Sequence, residues 1–330
     1  MLKTPVTLVL LMVILSGVAG LEHAGVPART AAGDKFILGI LRRDGVIAPF
    51  AQYANRKWTN PWHSPESNDQ PNEPDTIADL PKPWFRSFLK PSSVWYLWSS
   101  AGESTTIKAS DAVQVCSHCQ QVWGLLSDYP KQEEPQKNEC VRNLGAVASE
   151  KKQGRAMEQL TDASSDWKPM MTFLGPEFER AESSGLSDTI SQHAAQIPPA
   201  EERARKPLSM LNLYRSQLTD DGQILFYFEA SKEYPKPPDA NDVGCNNISL
   251  VGGWALRDVQ GNLALLDSQF NPTGCDRKEG GLTEPFAIFQ LEGKTFAVIE
   301  EDSYEGESYV ILEIRKDGVH RVLETYAGSC

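Results

Sequence analysis

"SLVGGWALR" at residues 249–257 and "NLALLDSQ" at residues 262–269 are two runs of strand-forming residues divided by a turn at Asp258 to Gly261. Apolar and aromatic runs punctuated in this way read as an antiparallel hairpin. With Arg257 opposite Asn262, Cys275 falls within one residue of register opposite Cys245, and the two cysteines are predicted to be bonded where the hairpin opens.

The same style continues on both sides of this hairpin. From Pro207 onward the chain runs "LSMLNLYRSQL", "QILFYFEASKEY", the hairpin, "PFAIFQLEGKTFAVIE" and "SYVILEIRKDGVHRVLETY". Asp221-Gly222 and Asp317-Gly318 are strong hairpin signals because aspartate and glycine tolerate the positive φ angles of tight turns, and Glu292-Gly293 plays a similar part. Residues 207–330 are therefore expected to form an antiparallel meander of roughly eight strands. The alternation in "YVILEIRK" and "TFAVIEE" predicts one buried and one wet face.

Residues 34–161 repeat the pattern in "KFILGILRRDGVIAPFAQYANRKW", where Asp44-Gly45 turns one strand back on the next, and in "SVWYLWSS", "STTIKA" and "QQVWGLL". Between these, residues 59–91 carry seven prolines and are expected to be an extended surface loop or partly disordered. Residues 162–206 differ in kind. Trp167, Met170, Met171, Leu174 and Phe178 fall at helical spacing, Gly175-Pro176 is expected to break or kink that helix, and "LSDTISQHAAQI" offers a second helix capped by Ser187. The fold class is mainly β, an antiparallel sandwich or barrel-like meander with a short helical insertion. An irregular β-propeller is the alternative, disfavoured because the Asp-Gly turns at 44, 221 and 317 share no period of about 40 to 50 residues.

The amino terminus, "MLKTPVTLVLLMVILSGVAGLEHAG", has the make-up of a secretory signal peptide over residues 1–20, followed by a flexible tail at 21–33. Its apolar core, Leu8 to Leu15, is too short to span a bilayer of about 30 Å. The chain is expected to be secreted, to the extracellular space or a periplasm. Lys and Arg number 32 against 44 Asp and Glu, a net charge of −12. That balance, with no long basic run, argues against nucleic acid and anionic membrane as partners. In a eukaryotic host Asn247-Ile248-Ser249 would be a glycosylation sequon.

Six cysteines in an exported chain favour a disulfide framework. Beyond Cys245 and Cys275 there remain Cys116, Cys119, Cys140 and Cys330, whose pairing the sequence leaves open. "VCSHCQQVW" at 115–123 also admits a metal or redox role for Cys116 and Cys119, although a second ligand pair is absent and the flanks look like strand or turn.

Trp58, Trp62, Trp84, Trp95 and Trp98 crowd around the proline-rich segment, with His63 beside Trp62. Exposed aromatics of this kind stack on sugars or cradle peptides, and these six residues are the candidate ligand-binding set. The acidic stretch "IEEDSYEGES" offers Glu300, Glu301, Asp302 and Glu305 as a weak cation site in a link between strands. No nucleophile elbow, zinc helix or cofactor motif is present, so no cofactor is expected. The expected function is non-catalytic binding of a glycan or an extracellular protein. The alternatives are a hydrolase acting on polysaccharide with the tryptophans as platform, and a metal or redox protein built on Cys116 and Cys119.

Overall fold

The structure is a computed structural model that describes residues 36–61, 93–117, 120–133, 141–188, 197–235, 246–273, 281–302 and 306–328. Among these residues the chain is an antiparallel β sandwich of stacked sheets with a helix on its outer face, the class that the strand runs and tight turns predict.

The first sheet holds β1 (Phe36–Arg42), β2 (Val46–Ala54), β3 (Lys57–Thr59), β4 (Val94–Trp98), β5 (Ser104–Ser117), β6 (Gln120–Ser127) and β7 (Asn143–Ala148). Its order is β1-β7-β4-β5-β6-β2-β3, and a further β1–β2 pairing brings it round on itself. The closure is partial, since β2 meets β6 only at Val46↔Leu126 and Ile47↔Leu125, so the sheet is ring-like and not a barrel. Its inside is packed by Leu41, Ile47, Trp95, Ile107 and Val147. At the β1–β2 turn, the buried Asp44 accepts from Arg42 Nη2 at 2.9 Å and from Val46 N at 3.1 Å, which fixes the hairpin that Asp44-Gly45 announces.

β8 (Gly154–Ala156) and β9 (Glu158–Gln159) are short strands that tie the other two sheets together. β8 pairs with β14 (Leu282–Leu291) and begins the second sheet, which continues through β15 (Lys294–Asp302), β16 (Glu307–Arg315) and β17 (Gly318–Gly328). β9 pairs with β10 (Ser209–Gln217) and begins the third sheet, which continues through β11 (Ile224–Tyr234), β12 (Asn247–Arg257) and β13 (Leu263–Thr273). Residues 209–328 thus form two four-stranded meanders laid face to face. The opening hairpin is β12–β13, in register from Arg257↔Leu263 to Ile248↔Thr273 with one bulge at Trp254/Ala255. Cys245 and Cys275 lie outside the described residues.

Sheet two is the middle layer. Phe286, Phe289, Phe296, Val298 and Ile311 pack with the ring-like sheet, and Ile288, Ala297, Ile299, Val310 and Leu312 pack with sheet three. The prediction of a wet face for "TFAVIEE" and "YVILEIRK" is therefore corrected: both faces are covered. The unbroken apolar runs Phe296 to Ile299 and Tyr309 to Leu312 are the mark of a strand buried on two sides.

The outer face of sheet three is covered by α1 (Trp167–Asp188), whose stripe Met170, Leu174 and Phe178 packs on Leu213, Phe226, Phe228 and Val251. The helix runs through Gly175-Pro176 where the sequence predicts a break, because the apolar stripe continues on one face across it. Ser187 is inside the last turn of α1, donating to the Ser184 carbonyl at 2.6 Å, and residues 189–196 of the expected second helix lie outside the described residues. Next to α1 lies the short α2 (Ala200–Arg203), whose Arg203 Nε donates to the fully buried Glu182 at 3.0 Å. Asn247 and Ser249 are fully buried in β12, which closes the sequon to a glycan on the folded chain. No helix among the described residues is long and apolar enough to cross a membrane.

Candidate functional site

The faces of sheets two and three that meet are apolar toward one end and polar toward the other, and a cavity of about 360 Å³ opens in the polar part. The cross-strand register explains its shape. On sheet three, one row runs Tyr214–Tyr227–Trp254–Asp267 and the next Asn212–Glu229–Gly252–Gln269, so both rows face the same way. The first row is filled by rings, with Tyr227 and Trp254 centroids 5.1 Å apart. The second row has no side chain at Gly252, and the hollow lies where that side chain would be. A Cβ there would meet only the Tyr227 hydroxyl, at 3.3 Å, and ordinary neighbours at 3.8 Å. Sheet two supplies the opposite wall through Thr283, Glu301 and Ser308, which are cross-strand partners, and through Ile299, Arg321 and Glu324.

Most of the acids of this lining are engaged by the protein. Glu229, 2% exposed, accepts from the Tyr227 hydroxyl at 2.8 Å, from Thr283 N at 3.1 Å and from Asn212 Nδ2 at 2.6 Å. The Thr283 bond crosses from sheet two to sheet three and sets the width of the cleft. Arg321 forks onto Glu301 at 2.7 and 2.8 Å and reaches Glu324 at 2.7 Å. Burial, then the Glu229 carboxylate, raises the Tyr227 hydroxyl well above the ordinary tyrosine range, so it stays a donor. Asp267 differs. Burial pushes its carboxyl upward, while the Ser268 amide and His320 pull only weakly the other way.

The tryptophans chosen from the sequence do another job. Trp95 is fully buried inside the ring-like sheet, with its Nε1 donating to Ser93 Oγ at 2.9 Å. Trp98 stacks on Phe289 at 5.4 Å and donates to the Lys152 carbonyl, and Trp58 sits edge-on to Phe36, Phe289 and Phe296. Trp95 thus fills the inside of sheet one, while Trp98 and the partly buried Trp58 pack sheet one against sheet two. Trp62, His63 and Trp84 lie outside the described residues.

The acidic stretch is also redistributed. Glu300, Glu301 and Asp302 belong to β15 itself, so Glu300 and Glu301 point to opposite faces. Glu301 faces the cleft, whereas Glu300 accepts from Asn143 Nδ2 at 2.7 Å on the side of sheet one. Glu305 lies outside the described residues, and among those described no three His, Cys, Asp or Glu gather to hold a metal ion. Within "VCSHCQQVW" the flanking residues of β5 and β6 pair as far as Ser117↔Gln120, and His118 and Cys119 lie outside the described residues, as do Cys140 and Cys330.

Apart from Glu301 and Asp302, the cleft's residues are not singled out in the sequence, although a signal is present. Two adjacent glycines, Gly252 and Gly253, stand inside a strand-like run, where glycine marks a close approach of backbone or ligand. Both hold here: a side chain at Gly253 would overlap the β13 backbone at Asp267, and Gly252 opens the hollow.

Fold and cleft together define a class: a stacked antiparallel β protein with a ligand-sized pocket between two meanders. No family model, curated protein or solved structure matches the chain.

Proposed function

We propose that the protein is an exported, non-catalytic binding protein that holds a small polar ligand in the cleft between sheets two and three. The observation that carries this is the hollow at Gly252, a ligand-sized space roofed by a second sheet and edged with fixed hydrogen-bonding groups. Tyr227, Thr283 and Asn212 hold Glu229, and Arg321 holds Glu301 and Glu324, so the polar groups are set before any ligand arrives. Preorganisation of this kind lowers the ordering cost of binding.

The test fills the hollow. Gly252→Leu places a side chain in the cavity without a backbone collision. The expected outcome is a melting temperature within about 2 °C of the parent, together with loss of any small molecule that the exported protein retains in native mass spectrometry. Retention unchanged in Gly252→Leu would place binding elsewhere and sink the proposal.

A further inference from the structure

Resting on the binding reading above, we infer that the ligand of this cleft is a small organic cation, an amine or a guanidine. Charge is the first ground. Four carboxylates line the cavity, those of Glu229, Asp267, Glu301 and Glu324, and Arg321 is the one lysine or arginine among the described lining residues. Its guanidinium is already spent on Glu301 and Glu324, and it serves as part of the wall.

Glu229 is the second ground. It is a buried carboxylate on the cavity wall, and its three partners, a phenol, a backbone amide and a side-chain amide, are all neutral donors. A buried carboxylate normally lies beside a cation. Here the space beside it is the cavity.

The ring row is the third ground. Trp254 and Asp267 are cross-strand partners on the cavity wall, and Tyr227 flanks Trp254 on its other side. An aromatic surface next to a carboxylate is the pairing that recognises ammonium and guanidinium groups, through the ring quadrupole and the negative charge together. A neutral sugar would use the rings and leave the charge uncompensated, and an anion would be repelled. With a volume near the low end of small-molecule sites, the cleft suits a short diamine or a monoguanidine.

The experiment is calorimetric titration of the full exported chain with putrescine, agmatine, glucose and citrate, repeated for Asp267→Asn and Gly252→Leu, with circular dichroism as the control for folding. The expected result is binding of putrescine or agmatine that weakens as salt is added, falls at least tenfold in Asp267→Asn and vanishes in Gly252→Leu. Glucose binding that disappears in Gly252→Leu, with no binding of either cation, would overturn the cationic ligand and leave the cleft a binding site. Cation binding unaltered in both variants would mark a surface effect and overturn it as well. Silence from all four probes would likewise overturn it, and the binding reading would then be judged by what the native spectrum shows retained.

Discussion

Gly252 shapes the cleft by what it lacks, and other single residues in this chain act with the same economy. The β14–β15 turn is made by Glu292 and Gly293, with φ of 50° and 76°. Positive φ at both central residues is the type I′ geometry that matches strand twist. Glycine adopts it freely, whereas glutamate meets a steric cost of about 1 kcal/mol. Asparagine tolerates this region better, and the Glu292 ion pair with the largely exposed Arg56, at 3.5 Å, contributes little. Glu292→Asn is therefore expected to stabilise the protein by about 0.5 kcal/mol, read as a higher denaturant midpoint with an unchanged slope; a lower midpoint would show that the ion pair matters more than the turn. Turns of this kind were legible in the sequence because their chemistry is local. The exposure of a tryptophan is not local. Trp95 is buried because the other strands of sheet one close around it, and Trp98 because Phe289 and its neighbours in sheet two pack over it, and nothing within the stretch from Trp58 to Trp98 says so.

At the scale of elements, α1 shows where periodicity succeeds and where propensity misleads. The spacing of Met170, Leu174 and Phe178 gave its buried face, and Pro176 suggested an end that the packing overrides. Nearer its end, Gly185 lies so close to β13 that a Cβ would overlap the Phe270 ring. Gly→Ala in a helix ordinarily stabilises by about 1 kcal/mol. Here the collision, worth about 1 to 3 kcal/mol, is expected to win. Gly185→Ala should lower stability in chemical denaturation, and a gain would mean that Phe270 swings aside without cost. The β12–β13 hairpin forms one residue from the register expected at the turn, with Arg257 opposite Leu263, and the bulge at Trp254/Ala255 moves the pairing by one more before Ile248↔Thr273. That register is the basis for expecting a Cys245–Cys275 disulfide. Non-reducing peptide mapping should recover one fragment containing both cysteines, and an alkylatable Cys245 in native material would refute the bond. β7, β8 and β9 went unread. They are short strands of six, three and two residues, poor in aromatics, whose place is fixed by partners far along the chain.

For the whole molecule, the seam between the ring-like sheet and sheet two sets how stability responds to pH. Glu284, Glu300 and Tyr309 are cross-strand neighbours on the face of sheet two that meets β7, with Glu307 and Asp302 opposed in the next row. One amide, Asn143 Nδ2, serves Glu300 at 2.7 Å, the Tyr309 hydroxyl at 3.1 Å and Glu307 at 3.4 Å. Two carboxylates gathered around one donor repel each other when both are charged. Burial first, then the Glu307 carboxylate, pushes the Glu300 carboxyl up to about 8. Burial raises Glu284 as well, against the pull of Arg43 and Arg142. A carboxyl whose folded value stands above its unfolded one, about 4.3, binds more protons in the folded chain across the interval between them. Stability from this seam is therefore complete below that interval, declines as pH rises through it and levels off above about 8. Asp166 acts at the acid end with the opposite sign. Burial would raise it, but Arg257 at 2.5 Å and Arg215 at 2.6 Å outweigh that and hold it low, so its contribution is lost only as pH falls through its depressed folded value. The two together place the stability maximum in mildly acidic solution. The melting temperature should fall between pH 5 and pH 8, and Glu300→Gln, which keeps the size and the hydrogen bond to Asn143 but cannot ionise, should flatten most of that fall. A slope that survives in Glu300→Gln would assign the titration to Glu284 or to groups away from the seam.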